Sequence, residues 1–231
     1  MIEFQNVCFK YHYEQYALFE NLSFTLDKGR NTVLCDVLSG KTTLCKMLLG
    51  LLPPDSGKVI VDGKDVYFAS KTFDPTDALW LPSEPTFFQN KSVLFNLQYP
   101  LRVRKQKNCE KKVFELAEQF GFGECLKEKV SKLSKQQKKQ LAVARGLTVP
   151  RKIVLFDGFF DDTFQDANAE AETLCALFHC ETQVVFTAQP RLASGNTVVL
   201  DGKSCVFQGD CKRAQEVVSG LQWLAEKLKN R

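Results

Sequence analysis

The string Ser39-Gly40-Lys41-Thr42-Thr43 constrains this chain more than any other. It lies between an apolar, β-rich run, NTVLC, and a run whose Leu44, Met47, Leu48 and Leu51 recur at helical spacing before Pro53-Pro54 stops it. A polar, glycine-containing turn between a buried strand and a helix gathers the N–H groups of the helix N-terminus, which attract phosphate. A lysine there reaches terminal phosphates, and a threonine hydroxyl suits a magnesium ion. Taken alone, Gly-Lys-Thr recurs by chance and reads equally as a polar turn capping a helix. Its position between strand and helix is what favours phosphate.

A second acid site stands at Asp157, the last residue of the apolar strand KIVLFD. A carboxylate at the end of a buried strand beside a phosphate loop is where magnesium is held through water, whereas the plainer alternative is a helix N-cap or loop acid. KIVLFD, a helix around Ala167 to His179 and the strand TQVVFT together imply a parallel β core. At the front, IEFQNVCFKY and LFENLSFTLD alternate apolar and polar residues and predict an antiparallel β layer. DSGKVIVDGKDV and NTVVLDGKSCVFQGD each carry an Asp-Gly hairpin turn. The pattern is helical from about Leu94 to Val130, again through SKQQKKQLAVARGL, and in a terminal helix from Ala214 to Leu228. Strand, loop, helix and strand-end acid make this a P-loop α/β nucleotide fold.

The 231 residues fit one large α/β unit, and 25% charged with 44% apolar residues is ordinary globular composition. The formal charge of +4 is too small to carry functional weight. No run approaches the length of a membrane span, and MIEFQNVCFK has an acid where a signal peptide carries base, so the expectation is a soluble, non-secreted chain. The nine cysteines (Cys8, Cys35, Cys45, Cys109, Cys125, Cys175, Cys180, Cys205 and Cys211) include no C-x-x-C pair and read as reduced, buried small hydrophobes. Cys175, His179 and Cys180 lack a second pair to complete a metal site. Arg102, Arg104, Lys105, Lys107, Lys111 and Lys112 read as a solvated helix face; no aromatic stacking array accompanies them, so no nucleic-acid partner is expected.

From about Ile2 to about Gly209 the chain resembles the ATP-binding cassette (ABC) family. The resemblance rests on the order and spacing of FKY, ENLSFTLDKG, SGKTTLCKMLLGLLPPDSGKVIVDGKDV, LSKQQKKQLAVARGL, KIVLFD and VVLDGKSCVFQGD. It implies an ABC-type cassette with a mixed, largely parallel β core, an antiparallel β layer and a helical subdomain at roughly residues 90–145, all of 1–231 forming one nucleotide-binding domain. By the same resemblance, Tyr11 would stack on the adenine of ATP. Ser39, Gly40, Lys41, Thr42 and Thr43 would hold its phosphates, and Thr42 and, through water, Asp157 would hold Mg²⁺. Ser134 would belong to the signature segment presented to a second cassette.

The departures from the family pattern are concentrated in the catalytic motifs. The phosphate loop normally reads G-x-x-G-x-G-K, and Cys35 and Leu38 replace its first two glycines. Leucine at a position needing positive φ costs about 1–2 kcal/mol, so this loop is either strained or reshaped. Asp36 adds a carboxylate near the triphosphate charge. After Asp157 the family has a glutamate base, and here Gly158, Phe159 and Phe160 follow. Asp161 and Asp162, slightly further on, are the candidates for a substituted base. The sensing glutamine aligns with Ser83, the signature reads Leu133-Ser134-Lys135-Gln136-Gln137, and Ala188-Gln189 stands where the switch histidine belongs.

These departures imply a degenerate ATP-binding subunit, with weak binding of ATP and Mg²⁺ and little or no hydrolysis. It would pair with a second cassette as homo- or heterodimer and with a transmembrane permease, in the cytoplasm at the inner face of the membrane. Two alternatives stay open: a soluble scaffold or assembly protein without a permease, and an active transport ATPase using Asp161 or Asp162 as base.

Overall fold

The computed structural model describes residues 1–36, 38–68, 74, 77–106, 110–162 and 167–221, Ala167 by its backbone only. Lys107, Cys109 and the stretch 222–228 of the expected terminal helix lie outside the described residues. The chain forms two compact units. One comprises Met1–Ser83, Lys152–Cys175 and the chain from Cys180 onward; the other comprises Glu84–Arg151 with Ala176–His179.

Alternation builds the first sheet of the first unit. In β1 (Ile2–Phe9) and β2 (Phe19–Leu26), Ile2, Phe4, Val7 and Phe9 on one strand and Phe19, Leu22, Phe24 and Leu26 on the other are buried. Phe4 lies opposite Phe24 in the antiparallel register and stacks on it at 4.5 Å between centroids. With β4 (Ser56–Val61) and β5 (Lys64–Asp65) the order is β2-β1-β4-β5, and all pairs are antiparallel.

The second sheet contains β3 (Gly29–Leu34), β6 (Ala78–Pro82), β7 (Ile153–Asp157), β8 (Thr182–Thr187), β9 (Asn196–Asp201) and β10 (Ser204–Asp210), in the order β10-β9-β3-β8-β7-β6. Every pairing is parallel except that of β10 with β9. β7 is buried at all five positions, which is why KIVLFD lacks alternation. The expected α/β architecture of parallel core and antiparallel layer is therefore present. β6 is absent from the sequence reading. ALWLP is short, ends in proline and has no polar alternation, and its strand character comes from pairing with β7, Pro82 opposite Asp157.

α1 (Lys41–Leu48) leaves the phosphate loop with Leu44, Met47 and Leu48 buried. α5 (Ala167–Leu177) connects β7 to β8 as expected. α6 (Cys211–Ser219) corrects the terminal helix. It starts before Ala214 because the Asp210 side chain caps it, accepting from the N–H of Lys212 at 3.0 Å and of Arg213 at 3.2 Å; it ends at Ser219, with Gly220 as its C-cap.

The second unit packs α2 (Val93–Val103), α3 (Glu110–Gln119) and α4 (Lys135–Leu147) around Val93, Leu97, Leu101, Val113, Leu133 and Leu141. The continuous helical stretch expected from Leu94 to Val130 is corrected: α2 and α3 are separate, and α3 gives way to turns where Gly121 adopts φ 74°. Two of the described basic residues in this region are engaged locally. Arg102 stacks on Phe95 at 5.0 Å, and Lys112 donates to the Thr148 carbonyl at 3.0 Å. The described cysteines are free thiols. Cys35, Cys45 and Cys175 are buried as expected, while Cys8, Cys125, Cys180, Cys205 and Cys211 are half-exposed.

Candidate functional site

The phosphate loop joins β3 to α1, and at Leu38 the backbone keeps the positive φ that a missing glycine would have served. Gly40 precedes α1 at φ 95°, and a β-carbon there would fall 2.5 Å from Cζ of the buried Phe19. Leu38 takes φ 66° and is 93% exposed. The loop is thus strained rather than reshaped, with the leucine side chain thrown into solvent. Cys35 is buried in place of the other glycine. Burial pushes its thiol up to about 11, so it stays protonated and packs as a small hydrophobe. The Asp36 carbonyl accepts from Ser39 Oγ at 2.5 Å and from Lys41 Nζ at 3.0 Å.

Asp157 ends β7 next to the first turn of α1. One of its oxygens, Oδ2, accepts from Thr42 Oγ1 at 2.8 Å and from Trp80 Nε1 at 3.3 Å. Burial raises the Asp157 pKa, against the lowering effect of those two donors. A hydroxyl and a carboxylate oxygen in contact at a helix N-terminus are hard ligands that suit Mg²⁺, and a cation there would offset the buried charge. Trp80, on the strand that sequence reading missed, is an addition to this site; only recognising β6 would have revealed it.

Removing the buried charge is expected to stabilise the nucleotide-free protein. Asp157→Asn should raise its unfolding temperature at neutral pH by about 2–4 °C, the shift of roughly 1 kcal/mol in a chain this size. The sign follows from the raised folded-state pKa. The wild-type carboxyl is favourable while protonated, below the ordinary range near about 4, and that stability is lost as pH rises through the folded-state value. The gap between variant and wild type should therefore close in acid and open toward neutrality in a pH series of thermal melts.

A cleft of about 560 Å³ opens beside the loop, lined by residues that include Tyr11, Glu14, Tyr16, Leu18, Lys41 and Thr43. Tyr11 meets Phe9 edge-on at 4.8 Å, and its hydroxyl is 2.8 Å from Thr43 Oγ1. Structure thus brings Tyr11, Gly40, Lys41, Thr42 and Thr43 to one cavity, while Ser39 is bonded within the loop itself.

Beyond Asp157 the backbone turns sharply. Gly158 adopts φ 59° and donates its N–H to the Phe186 carbonyl at 2.9 Å; Asp161 N–H then returns to the Gly158 carbonyl at 3.1 Å. Phe159 and Phe160 are buried beneath this turn, packed edge-on at 5.3 Å. Asp161 is carried back to the loop, so that Oδ2 lies 3.8 Å from Lys41 Nζ. Its Oδ1 accepts from Thr187 Oγ1, its Oδ2 from Ala188 N–H at 3.4 Å, and its carbonyl from Gln189 Nε2 at 2.6 Å. The Ala188-Gln189 pair therefore anchors Asp161. Asp162, the other candidate, is exposed. Ser83 follows β6, and its Cβ would lie 3.7 Å from a β-carbon at Gly158.

Ser134 belongs to the second unit, where its hydroxyl caps α4 by accepting from Gln137 N–H at 3.2 Å. Gln137 Oε1 returns the bond to Ser134 N–H at 2.9 Å, completing a capping box.

Phosphate loop, strand-end carboxylate and parallel sheet define a P-loop nucleotide-binding fold. The model of the ABC transporter family matches residues 19–160, more than half the chain, and the chain belongs to that family. Among its relatives, the molybdate/tungstate import ATP-binding protein WtpC of Thermococcus kodakarensis is 30% identical over 164 residues, 70% of this chain and 47% of that protein. WtpC of Methanocaldococcus jannaschii is 31% identical over 140 residues, 60% and 46% of the two chains. The Fe(3+) ions import ATP-binding protein FbpC of Photorhabdus laumondii is 29% identical over 147 residues, 61% and 40%. The chain thus spans about half the length of these relatives. Its fold is shared with a bacterial Atm1-family ABC exporter with ATP bound (TM-score 0.79, 18% identity, 99% of this chain and 42% of that one). It is shared also with an ATP binding subunit of an ABC transporter (TM-score 0.75, 16% identity, 99% and 98%). No helix among the described residues is long and apolar enough to cross a membrane.

Proposed function

We propose that this chain is a degenerate ATP-binding subunit of a membrane transporter, which binds Mg-ATP weakly and hydrolyses it slowly or not at all. The observation that carries the reading is Gly158. The residue next to Asp157 has no side chain with which to deprotonate water, while Thr42 of the phosphate-loop helix stays bonded to Asp157 and Lys41 acts on the same carboxylate. Loss of a positioned base slows hydrolysis by roughly 10²–10⁴. In this reading Tyr11 stacks on adenine, and Ser39, Gly40, Lys41, Thr42 and Thr43 hold phosphate. Thr42 and, through water, Asp157 hold Mg²⁺, which neutralises charge on the phosphates when bound.

Residues 1–231 act as one nucleotide-binding domain, with the second unit as its helical subdomain. The segment Leu133 to Gln137, Ser134 included, faces a second cassette, and the subunit sits on a permease at the inner face of the membrane. The names of the relatives, import proteins for molybdate/tungstate and for Fe(3+), support a transporter over a soluble scaffold. A substituted-base ATPase is favoured by one contact alone, the approach of Asp161 to Lys41.

Calorimetric titration with Mg-ATP tests the proposal. Weak heat should be measurable in the wild type, and Lys41→Ala should reduce affinity by about tenfold to a hundredfold, the range of a charge-assisted phosphate contact. Turnover near about 10 s⁻¹, an ordinary enzymatic rate, would refute the loss of hydrolysis. Absence of heat at millimolar ATP would refute nucleotide binding.

A further inference from the structure

If Lys41 meets nucleotide phosphate, as the reading above holds, a second anion already stands in that place. We propose that the Asp161 carboxylate is a tethered anion that competes with nucleotide phosphate for Lys41 and so holds nucleotide affinity down.

Asp161 is firmly placed by its own hydrogen bonds. Its Oδ1 accepts from Thr187 Oγ1, its Oδ2 from Ala188 N–H, and its carbonyl from Gln189 Nε2. These donors come from the end of β8 and the residues just after it, and the turn bond from Asp161 N–H to the Gly158 carbonyl fixes the approach from the other side. With its main chain held by Gly158 and Gln189 and its carboxylate accepting from Thr187 and Ala188, Asp161 does not swing away at little cost, so the negative charge is a fixed part of the loop's surroundings.

Lys41 is the cation it meets. The lysine side chain is only 12% exposed, and its Nζ lies 3.0 Å from the Asp36 carbonyl and 3.8 Å from Asp161 Oδ2. Gly158, at φ 59°, forms the turn that brings Asp161 back to Lys41, and a β-carbon there would lie 3.4 Å from the same oxygen, in ordinary contact. An incoming triphosphate must draw Lys41 away from Asp161 and then tolerate a like charge a few ångströms away. Unit charges at such separations in a partly desolvated site interact strongly, and partial exposure of Asp161 tempers the effect. Removing the charge is accordingly expected to tighten binding by about tenfold.

Asparagine keeps Oδ1 to accept from Thr187 while discarding the charge, so Asp161→Asn is the informative variant. In calorimetry it should bind Mg-ATP about tenfold tighter than wild type. The same gain should appear with Mg-tripolyphosphate, which has no base or sugar, and no gain with adenosine. Glu170→Gln, which removes an exposed acid on α5, controls for net charge and should change nothing. Unchanged or weaker Mg-ATP binding by Asp161→Asn that still melts cooperatively would overturn the proposal. If that variant does not melt cooperatively, Asp161→Ala is titrated and judged by the same criterion.

The two readings fail separately. Wild type that binds in a Lys41-dependent way, with no gain in Asp161→Asn, leaves the nucleotide site standing and removes the brake. Wild type that binds nothing, with Lys41-dependent binding in Asp161→Asn, establishes the brake and corrects the wild type to a nucleotide-free state. No binding by either protein removes both.

Discussion

Phe160→Ala is expected to lower the unfolding free energy by about 3–5 kcal/mol, the range for deleting a fully buried phenylalanine ring. Phe160 is 1% exposed, packs on Phe156 at 5.1 Å between centroids, and meets Phe159 edge-on. Such aromatic pairs contribute beyond their area, and the ring lies under a turn too constrained by hydrogen bonds to collapse into the void. Chemical denaturation should show the midpoint falling with little change in slope. Phe114→Ala is the control: it removes a ring of the same size from the exposed face of α3, where Phe114 is 45% exposed, and should stay within about 0.5 kcal/mol of wild type. Equal effects from the two variants would mean that the aromatic pair is not a packing unit at all.

Gly40→Ala is expected to cost about 2–4 kcal/mol and to remove nucleotide binding. Two strains add. Alanine at φ 95° meets the left-handed penalty of about 1 kcal/mol, and overpacking a filled core adds about 1–3 kcal/mol. The overpacking is specific, since the new β-carbon would lie 2.5 Å from Phe19 Cζ and 3.1 Å from Leu18 Cδ2. Phe19 is fully buried opposite Phe9 in the antiparallel layer and has nowhere to retreat. The loop must therefore move, and Lys41 moves with it. Gly63→Ala isolates the backbone part of the effect: Gly63 has φ 76°, but a β-carbon there meets nothing within 4 Å, so only the penalty of about 1 kcal/mol remains. Thermal melts and a Mg-ATP titration of the two alanine variants separate strain from steric clash.

Much of the fold was legible in the residues because it follows local rules. Alternation exposed β1 and β2, unbroken apolarity exposed β7 and β8, Asp-Gly turns exposed both hairpins, and Gly-Lys-Thr between strand and helix exposed the phosphate loop. β6 was hidden because five residues ending in proline carry no period, and their strand character depends on β7 alongside them. The end of α3 was missed because helical periodicity ran past the glycine that breaks it.

Within the candidate site, residue identity determined which groups are present, and tertiary structure decided what they touch. The sequence determined that Gly158 has no side chain, that Leu38 stands where glycine is needed, and that Lys41, Thr42 and Asp157 remain. It left open whether Leu38 would strain the loop or reshape it, and the φ of 66° with the side chain in solvent answers for strain, because the surrounding strands and helix over-determine the backbone there. It offered Asp161, beside Asp162, only as a candidate base, with no sign of its contact with Lys41. A glycine turn, two buried phenylalanines and three donors at the end of β8 carry it to Lys41, and hydrogen bonds between segments far apart in the chain leave no mark in local sequence pattern.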